Sequence, residues 1–593
     1  MISNSKKIFS LIIAMTFATE TVFGQAVVNI NKSIQFQKID GFGTQFGKRV
    51  SWDSGAMSDE DHLKRIIDDL GISMHRVWID PKLEMVNDND DPNNTDLEKF
   101  KDNLNITAGE QCEGEYVSQQ TMIDYMKLYK ARALRNGDTI NFYGTVITPP
   151  HWMKYTKCTF GTDNLWNRLI TSEEDANKSG TAEVIKDRKD EFAEWLYGTL
   201  RSWKDAGMEL STAGIQNEPA WGQPYGSCVY EYQGTYAGKA MASVIRVTGK
   251  RLEKEGVKTK IMFPEDIGDL SRFLQYVRAI NADSEAKKYG EVIGIHQYNQ
   301  DGVTPGSISA SAWNSMYKVS QLGMVRPVWM TETSGFGTGE KAMMKMAGGL
   351  YTALKFGKVN AWNWYDATDN DSDIEHASAF FVNNNGKQVF TKKAQAFRHY
   401  SKYIRPGSIS VEATCTSDEA VLPLAFQDNY RKRLTIILIN YDSVNTKTVT
   451  LKFADNTAPK KLLGYRTSMT DDWKKIDSIN INAVITLPPN SISTYIGNDS
   501  KPVVTSLFSY DKSVVQNKLL VHPNPSQGGF YVHGNFDDAS DIEIKLLNLQ
   551  GQELQIISYP NNGNEMYVNT ENLANGIYIL NYQNQYQKVV VNR

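Results

Sequence analysis

The chain is short of the residues that hold metals and bridges. Only four cysteines and eight histidines occur in 593 residues. Cys112, Cys158, Cys228 and Cys415 show none of the close spacings of a zinc site. The histidines are scattered with no pair at metal-binding spacing, which argues against a metallohydrolase. Four cysteines permit one or two disulfides in three complete pairings. Cys158 and Cys228 follow the third and fourth expected strands of the body and are expected as neighbours. Charge of one sign is also lacking: 64 Lys and Arg against 68 Asp and Glu leave a net charge of −4 without long runs. Nucleic acid and anionic membranes are therefore poor partners. Beyond the N-terminus no apolar run is long enough to span a bilayer. No glycine-rich turn follows an early strand, so the phosphate device of a doubly wound nucleotide fold is missing. The length exceeds one core, and two or three domains are expected.

What is present begins with the ends. Residues 1–24 have the form of a signal peptide, with Lys6 and Lys7 before an apolar stretch at 8–18 and small residues before Gln25, where cleavage is expected. At the other end His522-Pro523-Asn524-Pro525-Ser526-Gln527-Gly528-Gly529-Phe530 precedes short alternating strands: Ile542 to Leu547, Gly576 to Leu580, and Lys588 to Val591. Turns rich in Pro, Asn and Gly divide them. These stretches resemble the C-terminal sorting domain of the type IX secretion route. The resemblance implies recognition by the secretion machinery and a product that is secreted or anchored at the cell surface.

Between the ends, strands alternate with amphipathic helices. Expected strands lie at 41–43, 72–78, 141–146, 210–217, 260–265, 292–298, 327–332 and 359–365. A helix is expected over 188–206, with Phe192, Trp195, Leu196 and Leu200 on one face. Eight such units predict an α/β fold, a (β/α)8 TIM barrel. From residue 405 the helical period stops, and runs such as Leu434 to Ile439 predict a β-sandwich side domain. The expected divisions are a signal peptide at 1–24, a strand joining the sandwich at 25–38, the barrel at 39–404, the sandwich at 405–497, a linker at 498–514 and the small all-β sorting domain at 515–593.

Two barrel strands end abruptly in a carboxylate: Gly214-Ile215-Gln216-Asn217-Glu218-Pro219 and Val328-Trp329-Met330-Thr331-Glu332-Thr333. A Glu at the end of a core strand is costly unless used. The C-terminal strand ends of a barrel share one mouth, so Glu218 and Glu332 fit the paired carboxylates of a retaining glycosidase, roughly 5–5.5 Å apart. Other strand ends suit a sugar: Arg76, His151-Trp152, His296-Gln297-Tyr298 and Trp362-Asn363-Trp364-Tyr365. Tryptophan faces take the C–H faces of a pyranose, and polar groups take its hydroxyls.

From about residue 30 to 497 the chain resembles glycoside hydrolase family 30. The marks are Ile39-Asp40-Gly41-Phe42-Gly43, Thr148-Pro149-Pro150-His151-Trp152-Met153-Lys154, Gln216-Asn217-Glu218-Pro219, Met330-Thr331-Glu332, and the run from Phe397 to Gly407. The resemblance implies Glu218 as acid/base and Glu332 as nucleophile. It implies Asn217 as ligand of the sugar 2-hydroxyl, Arg76 as brace of the nucleophile with Tyr298 close by, and Trp152 and Trp364 as walls of the subsite. His296 is a further candidate at the sugar. No metal or other cofactor is needed, and a monomer acting on a polysaccharide or oligosaccharide is expected.

The loop after the eighth barrel strand, Asp366 to Glu375, is acidic where members acting on glucuronoxylan are basic, which favours a neutral glycan: xylan, a β-1,6-glucan or a β-1,6-galactan. Lys48 and Arg49 pull toward acidic sugars. Asp369, Asp371 and Asp373 resemble a calcium loop but lack its sixth-position glycine, where Ile374 stands, so a solvated wall is the plainer reading. The stretch 87–96 is similar. Three functions stay open: an endo-acting retaining β-glycosidase, an exo-acting β-glucosidase, β-xylosidase or glucosylceramidase-like hydrolase, and a non-catalytic glycan-binding barrel.

Overall fold

The alternation of short apolar runs with amphipathic helices resolves, in a computed structural model, into eight parallel strands closed as a barrel. Described are residues 25–45, 60–89, 91–106, 118–161, 166–171, 187–230, 238–267, 269–298, 306, 308–367, 380–384, 387–454, 458–498, 520–522, 526, 529–533, 544–548, 552–554, 557–560, 565–582 and 585–592. The calls on the signal peptide, Cys112, Lys48, Arg49, Asp369 to Glu375 and most of the linker fall outside these residues. Two units separate near Pro502. Among the described residues no helix is long and apolar enough to cross a membrane.

In the first unit β1 (Ala26–Lys38) precedes the barrel strands β2 (Gly41–Gln45), β3 (Met74–Ile79), β4 (Asn141–Val146), β5 (Thr212–Gly214), β6 (Lys260–Pro264), β7 (Gly290–His296), β8 (Val328–Glu332) and β9 (Ala361–Trp364). All eight coincide with expected strands. β5 is shorter than expected, so Glu218 stands in the loop beyond it. The expected helix is Lys189–Asp205, packing Phe192, Trp195, Leu196, Leu200 and Trp203 into the core. Inside the barrel, Met74, Tyr143, Met262, Val292, Trp329 and Ala361 form their own cluster. They belong to six different strands, as inward-facing layers of such a barrel do.

Strand β1 joins a nine-stranded side sheet, antiparallel to Ile409–Cys415 and parallel to Lys447–Phe453. The continuous apolar run over Arg433–Asn440 has a cause in its period of two. Leu434, Ile436 and Leu438 fill the side-domain core. Ile437 and Ile439 point the other way, into the core shared with the barrel. Both faces of that strand are thus buried, and the sheet is fixed to the barrel through one of them.

The segments carrying Cys158 and Cys228 run antiparallel, bridged at Phe160–Gly226 and by the Ser227 amide donating to the Thr159 carbonyl at 3.2 Å. The neighbourhood is as expected, yet Cys228 is a buried thiol and not half of a bridge. Burial pushes its pKa up to about 11, so it stays protonated and inert.

The second unit, by itself, is two four-stranded sheets. One runs in the order Leu520–His522, Gly529–His533, Glu565–Asn569, Ile557–Pro560. The other runs Glu553–Leu554, Lys545–Leu547, Gly576–Tyr582, Gln585–Val591. Phe530, Val532, Leu546, Val568, Leu580 and Val589 form its buried core.

Candidate active site

Arg76, in the middle of β3, organises the mouth. It is fully buried, and a guanidinium taken out of water needs partners for its five N–H groups. Its Nη1 donates to Glu332 and, at 2.9 Å, to Gln45 at the end of β2. Nη2 donates to Asn217 at 2.8 Å and to Glu265 at 3.3 Å, and Nε to the Thr145 hydroxyl of β4 at 3.2 Å. One side chain thus ties β2, β3, β4 and β8 to the loops after β5 and β6.

Glu218 and Glu332 face each other across this group. One oxygen of each, with a His296 ring nitrogen, all lie within 4.8 Å of one another. His296, the last residue of β7, sets its Nδ1 3.0 Å from Glu218 Oε1. The Gln223 side-chain nitrogen donates to the other Glu218 oxygen.

A third carboxylate, Glu265, directly follows β6 and is fully buried. It accepts from Thr145 at 2.8 Å as well as from Arg76. Two glycines make room for it. A Cβ on Gly214 would stand 1.9 Å from Glu265 Oε2, and one on Gly294 would stand 2.6 Å from its Cγ. Those glycines, on the strands flanking β6, are the sequence signal that points to Glu265. Glu218 and Glu265 both adopt the left-handed backbone region, at φ 45° and 50°. The Glu218 amide donates to the Glu265 carbonyl at 2.8 Å. Such backbone costs of order 1 kcal/mol or more in a non-glycine residue and clusters at working sites.

Opposed charges are packed closely in this site. Burial opposes charge on Glu265, but Arg76, His296 and Thr145 outweigh it and hold its pKa below the ordinary value. Burial likewise opposes charge on His296. The Glu332 anion and the hydrogen bonds to Glu218 and Glu265 outweigh it and push the imidazole up to about 9. The Glu332 pKa is raised: burial pushes it up, His296 and Arg76 pull it down, and Glu218 pushes it up again. With Arg76 and His296 cationic and Glu265 anionic, two cations meet three carboxylates. One proton shared between Glu218 and Glu332 would make this group of five neutral.

The remaining expected residues divide. Tyr298 lies beside the pair, its hydroxyl 2.9 Å from Ser334 Oγ. Burial first, then the Glu332 charge, keep it a phenol. Trp152 is half-buried, its indole N–H donating to the Glu84 carbonyl at 3.0 Å. Trp364 departs from expectation. It is fully buried, stacked on Phe380 at 5.3 Å and edge-on to Phe336 at 5.0 Å, so both partners cover a ring expected to face a sugar. It stands behind the site as a wall. His296, also a candidate at the sugar, is closed in among the carboxylates. Exposed aromatics occur where none was singled out: Trp221 and Tyr225, 46% and 51% exposed, follow Glu218 on its own loop. Tyr225 is near enough to both carboxylates that they help burial push its pKa up to about 12.

The fold is similar to that of solved glycoside hydrolases. A family 30 subfamily 8 xylanase from Clostridium acetobutylicum is similar at a TM-score of 0.56 and 19% identity, over 79% of this chain and 99% of that one. The catalytic domain of a family 30 xylanase from Talaromyces cellulolyticus is similar at 0.60 and 17% identity, over 79% and 99%. An endo-β-1,6-glucanase is similar at 0.54 and 16% identity, over 80% and 94%. At these identities the likeness establishes the fold. No curated protein matches the sequence. Residues 520–592 match a family described as the secretion system C-terminal sorting domain. That match assigns the second unit to export.

Proposed function

We propose that the protein is a retaining β-glycosidase acting by double displacement, with Glu332 as nucleophile and Glu218 as acid/base. The observation that carries this reading is the approach of the two carboxyl groups. An oxygen of each within 4.8 Å suits direct attack on the anomeric carbon. In inverting enzymes a water sits between carboxyls roughly 6.5–9.5 Å apart, and this closer approach favours the retaining pair.

The hydrogen bonds favour this division of roles. Arg76 bonds Glu332 and none of its hydrogen bonds reaches Glu218, so the negative charge rests on Glu332. Glu218 faces His296 and a neutral amide. The Gln223 amide oxygen has no hydrogen-bond partner. Turning that amide over would let this oxygen accept the carboxyl proton that Glu218 must hold. Glu218 then gives the proton to the leaving oxygen and recovers one from water in the second step.

The substrate class is a β-linked polysaccharide, with xylan, β-1,6-glucan and β-1,6-galactan as candidates, and the cut is internal. Trp221 and Tyr225 support this by extending an open aromatic surface beyond the carboxylates, where a glycan continues past the cleaved bond. Export through a signal peptide and the type IX route would deliver the enzyme to glycans outside the cell.

Sugar release from these glycans by the purified protein tests the reading. Oligosaccharide products support endo action, and monosaccharides alone would make it an exo-enzyme. Binding without release would leave only a glycan-binding barrel. For the roles, Glu218→Gln should still react with an activated aryl glycoside and be rescued by azide. Glu332→Gln should do neither. Azide rescue confined to Glu332→Gln, giving a product of opposite anomeric configuration, would reverse the assignment.

A further inference from the structure

A second group of carboxylates lies where the loop after β3 meets the helix Lys189–Asp205. Glu84 ends the short turn Pro81–Glu84, Asp88 lies in the loop that follows, and Glu194 comes from the helix. One oxygen from each lies within 4.8 Å of the others. The loop half alone would be an ordinary acidic turn. Glu194 makes it more: its side chain is fully buried, it reaches this group from another element, and neither of its oxygens has a well-formed hydrogen bond, although the Thr95 hydroxyl stands close by. Glu84 is also fully buried. Its Oε1 accepts from the Asp88 amide at 3.2 Å while Oε2 has no partner. Asp88 Oδ2 accepts from the Asp96 amide at 2.9 Å while Oδ1 has none, and Asn87 Oδ1 likewise has none.

The nearby arginines make their bonds elsewhere, and Arg251 acts on Glu194 only as a charge at a distance. Arg251 bonds the Pro92 carbonyl at 2.5 Å, the Thr95 hydroxyl at 2.7 Å and Glu255 at 3.3 Å. Arg188 pairs with Glu191 at 3.7 Å. Buried carboxylates with so few donors and no cation paired to them are among the costliest groups a fold can carry. The oxygens turned toward one another here are all hard donors, with no nitrogen or sulfur among the three residues. This is the donor set of calcium, which accepts irregular arrangements of six to eight oxygens and completes them with water.

We propose that Glu84, Asp88 and Glu194 bind a calcium-class divalent cation, with Asn87 Oδ1 as a further oxygen donor. The ion clamps the 87–96 loop against the helix. Through the Glu84 backbone carbonyl, which receives the Trp152 indole N–H, it also steadies one wall of the sugar site.

The test uses the full chain, stripped with EDTA and then given calcium, with magnesium as the comparison. Titration calorimetry should show one saturable calcium site, and thermal melting should rise by several degrees on calcium addition, less with magnesium. Glu194→Gln should weaken calcium binding at least ~10-fold and remove most of the melting shift. In EDTA that variant should melt at or above the wild type, because it removes an unneutralised buried charge; a side chain with a merely structural role would melt below it. Asp88→Asn, in a less buried position, provides a second variant with the same expected loss. The proposal is overturned if the stripped wild type neither binds calcium nor changes its melting. It is overturned equally if the response survives in both variants, which would put the ion elsewhere.

Discussion

Two sets of three buried or half-buried carboxylates stand in one barrel, and they are held in opposite ways. Glu218, Glu265 and Glu332 sit around Arg76 and His296, and each carries a hydrogen bond from a side chain of another element. Glu84, Asp88 and Glu194 have far fewer donors: the Thr95 hydroxyl stands near Glu194, while four of the oxygens, Glu84 Oε2, Asp88 Oδ1 and both of Glu194, lack a well-formed hydrogen bond. The first set is neutralised from within, leaving one proton to move, and a movable proton is what acid–base catalysis needs. The second set has no cation built into it, and burial pushes the Glu84 pKa up to about 9 and the Glu194 pKa up to about 7, so its neutralising charge must come from outside, as a proton or an ion. Acidic residues in a cluster therefore say little until their counter-charges are counted.

The largest effect expected of the comparison comes from Arg76. Arg76→Met would leave Glu265 and Glu332 buried with half their compensation gone, costing about 3–5 kcal/mol of stability. Denaturant unfolding measures this, and activity should be lost with it. If the variant unfolds at the wild-type midpoint, the charge balance described for the mouth is wrong.

Next is Gln223. Gln223→Leu keeps the volume and removes the amide that faces Glu218. Turnover of glycans should fall about 10²-fold, the lower range for a general acid, while an activated aryl glycoside, which needs little protonation, should react nearly as before. An equal loss on both substrates would mean that Gln223 places the sugar and not the proton.

The pH dependence of stability follows from His296. Its ordinary value is 6.5 and in the fold it is pushed up to about 9, burial being outweighed by Glu332, Glu218 and Glu265. A raised value means that the folded state holds the proton more tightly. The contribution is fully present below pH 6.5, declines above it, and is gone once pH has risen through about 9. His296→Gln should flatten that decline in melting experiments across the same window. A wild-type profile already flat there would show the imidazole to be neutral.

Much of this was legible in the sequence, for reasons that also explain what was not. The eight strands were visible because buried parallel strands are continuous apolar runs, and Glu218 and Glu332 because each breaks such a run. Glu265 also ends a strand, but its meaning lay in Gly214 and Gly294 on the neighbouring strands, a relation that exists only once the barrel closes. Trp364 was read as a sugar platform because a strand-end tryptophan looks alike whether its face is open or covered. Phe336, from the loop after β8, and Phe380, further along the chain after β9, cover it. Glu194 was hidden in the opposite way. The helix Lys189–Asp205 reads as amphipathic, yet residues Glu191 to Leu200 are all buried, so a position that looks solvent-facing is inside.

The smallest expected effect joins the two sets. The Trp152 ring is a wall of the proposed sugar site, while its N–H is held by the carbonyl of Glu84, a residue of the second set. Trp152→Phe keeps an aromatic face and deletes only that hydrogen bond, worth about 1 kcal/mol, or roughly a fivefold change. The expected outcome is a rise in KM of that size with kcat nearly unchanged, because the ring acts in binding and not at the reacting atoms. Calcium sharpens the measurement. If the ion steadies the wall through Glu84, stripping it should raise the wild-type KM, and the variant, already cut off from that carbonyl, should respond less. Equal sensitivity to calcium in both proteins would show that the two carboxylate sets share a barrel but not a mechanical link.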